Sequence, residues 1–214
     1  MIYWLYEKAL LRKISVLPAH ICFMITERDV KEAPMRMYEV TGWCREISNS
    51  VRERMVHEAG IDAITGITSI TFHISTRDPS RMEPYLPDIR KIAQIARLNI
   101  HIGQADEQYG KGMDVLVAIG KSGRDEIVDC LRKMAREHIR AEEVTEQVIE
   151  EHLTFQYTPD LVIKTGGDHL TDFLIWQAVY SELFFSDVNW KWFRKVDFLR
   201  ALRDYQSRAR RFGR

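Results

Sequence analysis

Short runs of continuous apolar residues alternate along the chain with stretches whose apolar positions recur every three to four residues. The runs are HICFMI at 20–25, ITSITFHI at 67–74, LNIHI at 98–102, MDVLVAI at 113–119 and DLVIK at 160–164. Several lack the alternating polar positions of a strand with one wet face, so they predict buried, mostly parallel strands. Helical spacing marks residues 43–58, 124–138, 143–153 and 172–183, and a last amphipathic helix over 196–211 runs through Val196, Leu199, Leu202 and Tyr205. Near the start, apolar positions 2, 5, 9, 10 and 14 share one helix face. This succession predicts an α/β fold, a mainly parallel central sheet flanked by helices. No repeat, low-complexity tract or Gly/Ser linker divides the chain, and Pro79, Pro84 and Pro87 punctuate one loop region. Residues 1–214 therefore read as a single domain, with an N-terminal helix over 1–15 and a C-terminal helix and tail over 196–214.

Composition narrows the function classes. The chain is 45% hydrophobic and 29% charged, which excludes a disordered protein. Thirty-one basic residues balance 31 acidic ones, so there is no overall field to gather nucleic acid. Cys22, Cys44 and Cys130 lie far apart without a CxxC pair, as expected of reduced thiols in a cytoplasmic protein. The opening MIYWLYEKALLRKI is broken by Glu7, Lys8, Arg12 and Lys13, too short for a membrane span and without a small-residue cleavage site. It reads as a helix lying on the body of the protein, with a dimer contact or a peripheral membrane contact as the alternatives.

The richest segment for chemistry is DLVIKTGGDHLTDFLIWQAVYSELFF at 160–185. A strand leads into Thr165-Gly166-Gly167-Asp168 and a helix entered near Thr171. Two glycines let the backbone approach a ligand, a helix N-terminus offers N–H groups, and Lys164 adds positive charge, a combination suited to an anion. A tight strand-to-helix turn explains the glycines equally well. The GKS triplet at Gly120-Lys121-Ser122 lacks the glycine a P-loop needs five positions earlier, where Val115 stands. Metal and nucleophile signatures are absent from the sequence: no HExxH, no paired Cys/His spacing and no GxSxG. His73, in an apolar run, reads as a core residue. From Trp190 onward nine Lys/Arg face two Asp, which suits either a solvated helix face or phosphate contact.

The block KTGGDHLTDFLIWQAVYSELFF, followed by SDVNWKWFRKVDFLRALRDYQSRARRFG, resembles the C-terminal signature of the cis-prenyltransferases, the undecaprenyl and dehydrodolichyl diphosphate synthase family. Upstream, LVAIGKSGRDEIVDCLRKMA, GITSITFHISTRD and LPAHICFMITERD occupy the places of further family motifs. The likeness spans nearly the whole chain and is clearest after residue 113. It implies a homodimeric or heterodimeric α/β fold around a hydrophobic tunnel. It also implies condensation of isopentenyl diphosphate onto an allylic diphosphate with Mg²⁺, giving a polyprenyl diphosphate, with no nucleic-acid partner.

Position by position, the allylic side departs from that pattern. Thr26 stands where the family has the aspartate that binds Mg²⁺ and the allylic diphosphate, and Glu27 and Asp29 replace the glycines after it. Asp78 and Gly120 each replace an asparagine, while Gly123 and Arg124 remain. On the isopentenyl-diphosphate side, Lys164 replaces the first arginine, Thr165 and Gly167 match, Asp168 replaces a glutamate, the second arginine is either lost or replaced by His169, and Thr171 replaces a serine. Glu182 matches a carboxylate that helps hold Mg²⁺. Arg211-Phe212-Gly213 matches the RxG tail that reaches the partner's diphosphate site. The combination resembles the non-catalytic subunits of heteromeric synthases, docked through 172–185. A self-sufficient divergent homodimer and a lipid-binding scaffold are the alternatives. Trp176, Phe173, Phe184 and Phe185 read as core or interface packing, and Trp190, Trp192 and Phe193 as anchors for the last helix.

Overall fold

The structure, a computed structural model, describes residues 2–59, 66–103, 105–120, 122–167 and 174–208. Within them one sheet holds β1 (His20–Thr26), β2 (Ser69–Ser75), β3 (Arg97–Ile102), β4 (Ala105–Tyr109), β5 (Asp114–Ile119), β6 (Leu161–Thr165) and β7 (Glu182–Ser186). Their order is β4-β3-β5-β2-β1-β6-β7, and every neighbouring pair is parallel except the β3–β4 hairpin. The five apolar runs are all strands. Two strands lie outside them. β4 (ADEQY) is a charged edge strand, held by Arg90 on Glu107 at 2.8 Å and by His101 beside Asp106 at 2.7 Å; charge on an edge discourages pairing with another chain. β7 overlaps the end of the stretch with helical spacing at Glu182 and Leu183 and runs on beyond it.

The helices are α1 (Ile2–Arg12), α2 (Glu27–Glu32), α3 (Arg36–Ala59), α4 (Leu86–Arg90), α5 (Gly123–Arg136), α6 (Glu146–His152) and α7 (Lys195–Ser207). The expected 196–211 helix stops at Ser207, because Arg208 turns to extended backbone. Alternation along β1 sends Ile21, Phe23 and Ile25 to one face and Cys22 and Met24 to the other. The first face carries the larger core, packed by Leu10 and Ile14, by Val40, Cys44, Ile47 and Val51 of α3, and by Val196, Leu199 and Leu202 of α7. At its centre the ring of Phe23 meets those of Phe72 (5.4 Å), Phe198 (5.8 Å) and Trp190 (5.9 Å), and Trp190 stacks on Phe193 at 6.1 Å. Trp190 and Phe193 therefore anchor α7 as expected. Trp192 does not: it is 65% exposed, one turn position away from its buried neighbours.

The second face is smaller and more polar. Leu116, Ala118 and Val162 join Cys22 and Met24 beneath Phe155, Leu174 and Ala178, among buried His20, Thr71, His73 and His101. A buried carboxylate ties this layer together. Glu126 of α5 accepts the Phe155 N–H at 2.6 Å and the Gln177 amide at 2.9 Å, while that amide also donates to the Phe155 carbonyl. The three thiols are buried, and burial pushes Cys22 up to about 12, so they are poor nucleophiles. Among the described residues no helix is long and apolar enough to cross a membrane.

Candidate functional site

The chain builds β1 and moves to β2, β5 and β3 on one side, then returns to place β6 and β7 on the other. The carboxyl ends of β1 and β6 therefore flank the point where the winding reverses, the usual ligand crevice of an open parallel sheet. Thr26 and Thr165 end those two strands, and Gly120 follows the end of β5. The sheet thus gathers Thr26, Lys164, Thr165 and Gly167 at one edge, with Arg124 exposed on the first turn of α5.

At the β1 end every acidic group is bound within the chain. Thr26 caps α2: its hydroxyl donates to the Asp29 carboxylate at 2.8 Å, which also accepts the Thr26 N–H at 2.8 Å. Glu27 projects toward β2 and accepts the Thr76 hydroxyl at 2.8 Å and Lys31 at 2.6 Å, with Arg81 at 3.7 Å. The Lys31 and Thr76 hydrogen bonds hold its carboxyl below the usual carboxylate range. Asp78 caps the 3-10 turn Pro79–Tyr85, accepting the Ser80 N–H at 3.1 Å and hydroxyl at 2.6 Å. Gly120 has φ +103°, and a Cβ there would come within 2.7 Å of the Pro79 ring, so close packing requires the glycine.

The β6 end is different. Lys164 is half-buried beside Met24 and Phe185 in the strand register. Thr165 is 3% exposed, and its hydroxyl oxygen has no hydrogen-bond partner among the described residues. Gly166 (φ +76°) donates to the Ser186 carbonyl at 2.9 Å, and a Cβ on it would meet Asn189 at 2.8 Å. Gly167 has φ +127°, and among the described residues nothing lies within 4 Å of where a Cβ on it would stand. The Gly166 and Gly167 N–H groups both donate to the Ser186 carbonyl, at 2.9 and 3.4 Å, so of these groups the Thr165 hydroxyl is the one left without a partner among the described residues.

Three expectations need revision or fall elsewhere. Lys121, Asp168, His169, Thr171, Phe173, Arg211 and Gly213 lie outside the described residues. The helix expected over 172–183 is not formed in its described part. Residues 175–180 are turns, with one helical hydrogen bond from the Ala178 N–H to the Leu174 carbonyl, and β7 starts at Glu182. Ile175, Val179 and Tyr180 are 50%, 66% and 60% exposed, so the stretch is apolar round its circumference without cover on all sides, a poor condition for a regular helix. Glu182 opens β7 opposite Leu161, at the amino edge of the sheet, and pairs with Arg208 at 3.3 Å. A five-residue strand, about 13 Å long, separates it from the carboxyl edge.

Mg²⁺ demands several hard oxygens around one point. Among the described residues no three His, Cys, Asp or Glu side chains converge. Glu27, Asp29 and Asp78 are engaged by donors of the chain itself, and Glu182 is at the other edge. The described residues of one chain do not gather a donor set that fits the ion.

Sequence reasoning missed the Glu27 network, the Glu126–Gln177 clasp, and a cavity of about 630 Å³ on the second face between α6 and the 175–180 turns. Trp176, Tyr157 and Val179 line it, and Glu146, Glu150 and Glu151 stand at α6. Only the Glu27–Lys31 pair had a local signal, its i,i+4 spacing.

Comparison with known proteins places this geometry. The family model for undecaprenyl diphosphate synthase matches residues 84–213. An isoprenyl transferase of Thermus thermophilus is 32% identical, aligned over 100% of this chain and 96% of its own length. A tritrans,polycis-undecaprenyl-diphosphate synthase (geranylgeranyl-diphosphate specific) of Methanocaldococcus jannaschii is 39% identical over 64% of this chain and 54% of its own. Among solved structures, lavandulyl diphosphate synthase from Lavandula x intermedia in complex with dimethylallyl diphosphate superposes with a TM-score of 0.64. It is 19% identical, over 92% of this chain and 99% of that one, a likeness of fold.

Proposed function

The chain belongs to the undecaprenyl diphosphate synthase family of cis-prenyltransferases, and from that premise we propose that it is the non-catalytic subunit of a two-chain synthase. The observation carrying this reading is the closed β1 end, where Thr26 is engaged by Asp29 and Glu27 lies among Lys31, Thr76 and Arg81. An allylic diphosphate arriving there would meet carboxylates where it needs donors. Mg²⁺ and the allylic substrate belong, in this reading, to a homologous partner with an intact aspartate motif.

This chain contributes in two ways. Arg211 and Gly213 extend to the partner's diphosphate, and Glu182 supports that junction from the root of the tail. The partner packs on the apolar surface that carries Ile175, Val179, Tyr180 and Phe185, all at least 40% exposed, an area larger than isolated surface residues need. On the first face of the sheet the rings of Phe23 and Phe72 pack together and against Phe198 of α7, which also suits a chain that does not house a growing prenyl chain.

A second reading rests on the β6 end. Lys164, Thr165, Gly167, Thr171 and Arg124 retain the makings of an isopentenyl-diphosphate site, which a self-sufficient homodimer would use. Turnover of labelled isopentenyl diphosphate by the chain alone and by an equimolar mixture with a relative carrying the aspartate motif separates the two. Activity confined to the mixture, and lowered by Arg211→Ala, is the expected result. Equal activity of the isolated chain overturns the accessory role.

A further inference from the structure

Helix α1 has two faces. Its inner row is used, since Leu10 is buried in the main core with Ile14 just beyond the helix, and Arg54 of α3 donates to the Leu11 carbonyl at 2.9 Å and to that of Ile14, covering the helix end. Its outer row is not. Trp4 and Leu5 lie on it, each 56% exposed, while Tyr6, 41% exposed, lies round the helix on the side of α7. Cations interleave with them: Lys8, Arg12 and Lys13 are exposed along the same helix and its end, and the Lys8 ammonium lies 3.8 Å from the centre of the Trp4 ring. Arg200 of the neighbouring α7 sits 5.5 Å from the Tyr6 ring and extends the positive area. Glu7, half-buried, is the one acid of α1.

We propose that the outer face of α1 docks on an anionic lipid bilayer, with the helix lying in the plane of the interface. A large ring and a leucine on one side of a short helix enter the boundary between headgroups and acyl chains, and a tryptophan favours that depth because its body is apolar and its N–H is polar. Lysine and arginine stems cover apolar surface while their charged ends stay with the anionic headgroups. A second copy of this chain is a worse occupant, because a two-fold contact would set Lys8, Arg12 and Lys13 against the same three cations. The inference is independent of whether the chain turns over substrate.

The test is co-sedimentation of the full chain with phosphatidylcholine vesicles, with and without phosphatidylglycerol. Binding to the phosphatidylglycerol vesicles is expected, weakened by high salt and by about tenfold in the Leu5→Glu variant. Leu5 is exposed, so that variant keeps the circular dichroism and melting of the parent, and a Lys8→Glu/Lys13→Glu double variant supplies a second arm acting through charge alone. The proposal is overturned by an absence of vesicle binding, by equal binding to pure phosphatidylcholine, or by variants that bind as the parent does. It is also overturned if they alter only the oligomeric state in the absence of lipid.

Discussion

The Glu27 carboxylate accepts the Thr76 hydroxyl at 2.8 Å, joining the end of β1 to the loop after β2 across a gap of 49 residues in sequence. With Lys31 and Arg81 on its other oxygen, the side chain takes the position of an anion in a small cationic niche.

Glu27→Ala should therefore open that niche. Removing the internal carboxylate leaves Thr76, Lys31 and Arg81 available, and inorganic pyrophosphate should bind the variant at least about tenfold more tightly than the parent chain. Isothermal titration calorimetry reads the difference; no gain would mean that the three donors do not converge on one ligand. Since the Glu27 carboxyl is held below the usual range, the parent chain should keep the niche closed in mild acid.

Thr26 caps α2. Thr26→Ala removes the hydroxyl bonds to Asp29 and should cost about 1 kcal/mol, seen as a lower urea midpoint. Turnover by the two-chain mixture should be unchanged. Thr26→Asp, placing a second carboxylate against Asp29, should destabilise the chain by at least as much and should not confer activity on it alone.

The clasp on the second face is a stronger structural element. Glu126 is 1% exposed and receives two N–H groups. Glu126→Ala leaves the Phe155 N–H without its acceptor and loosens Gln177, so a loss of about 3 kcal/mol is expected in denaturant unfolding. Because Phe155 and Gln177 also line the 630 Å³ cavity, the 175–180 turns should gain amide exchange in the same variant.

Stability should fall with acid through His20. Burial lowers its pKa from 6.5 to about 4, against an opposing pull from Asp160. The unfolded chain therefore binds the proton first, and the stability that neutral His20 provides, complete above about pH 7, is lost as the pH falls from 6.5 towards 4. Unfolding free energy should drop by about 2 kcal/mol between pH 7 and pH 5 from this residue. His20→Gln should flatten the profile there. His152, raised by Glu137 and by the Val148 carbonyl, acts in the opposite sense, stabilising at low pH and losing its effect as the pH rises past its folded value.

Particular elements show what a linear reading reaches. β1, β2 and β5 are nearly continuous apolar runs buried on both faces, and burial of that kind is written in composition. β7 is not: SELFF fits a helix repeat and a strand equally, and the parallel partner β6 with its Lys164–Phe185 register decides it. β4 is a strand through its hairpin to β3, with polar residues that carry no apolar signal. At the site, the expectation that Thr26 stands at the family's aspartate position comes from the motif resemblance alone. That Glu27 would be occupied by Thr76 and Arg81 could not be read there, because those contacts depend on how β1 and β2 lie side by side.

The ion pair between Arg208 and Glu182 fixes where the last stretch of chain departs from the folded body. Glu182 opens β7 opposite Leu161, so the pair ties Arg208, the last described residue, to the amino edge of the sheet. The crevice beside Thr165 lies at the other end of the same strands, about 13 Å away.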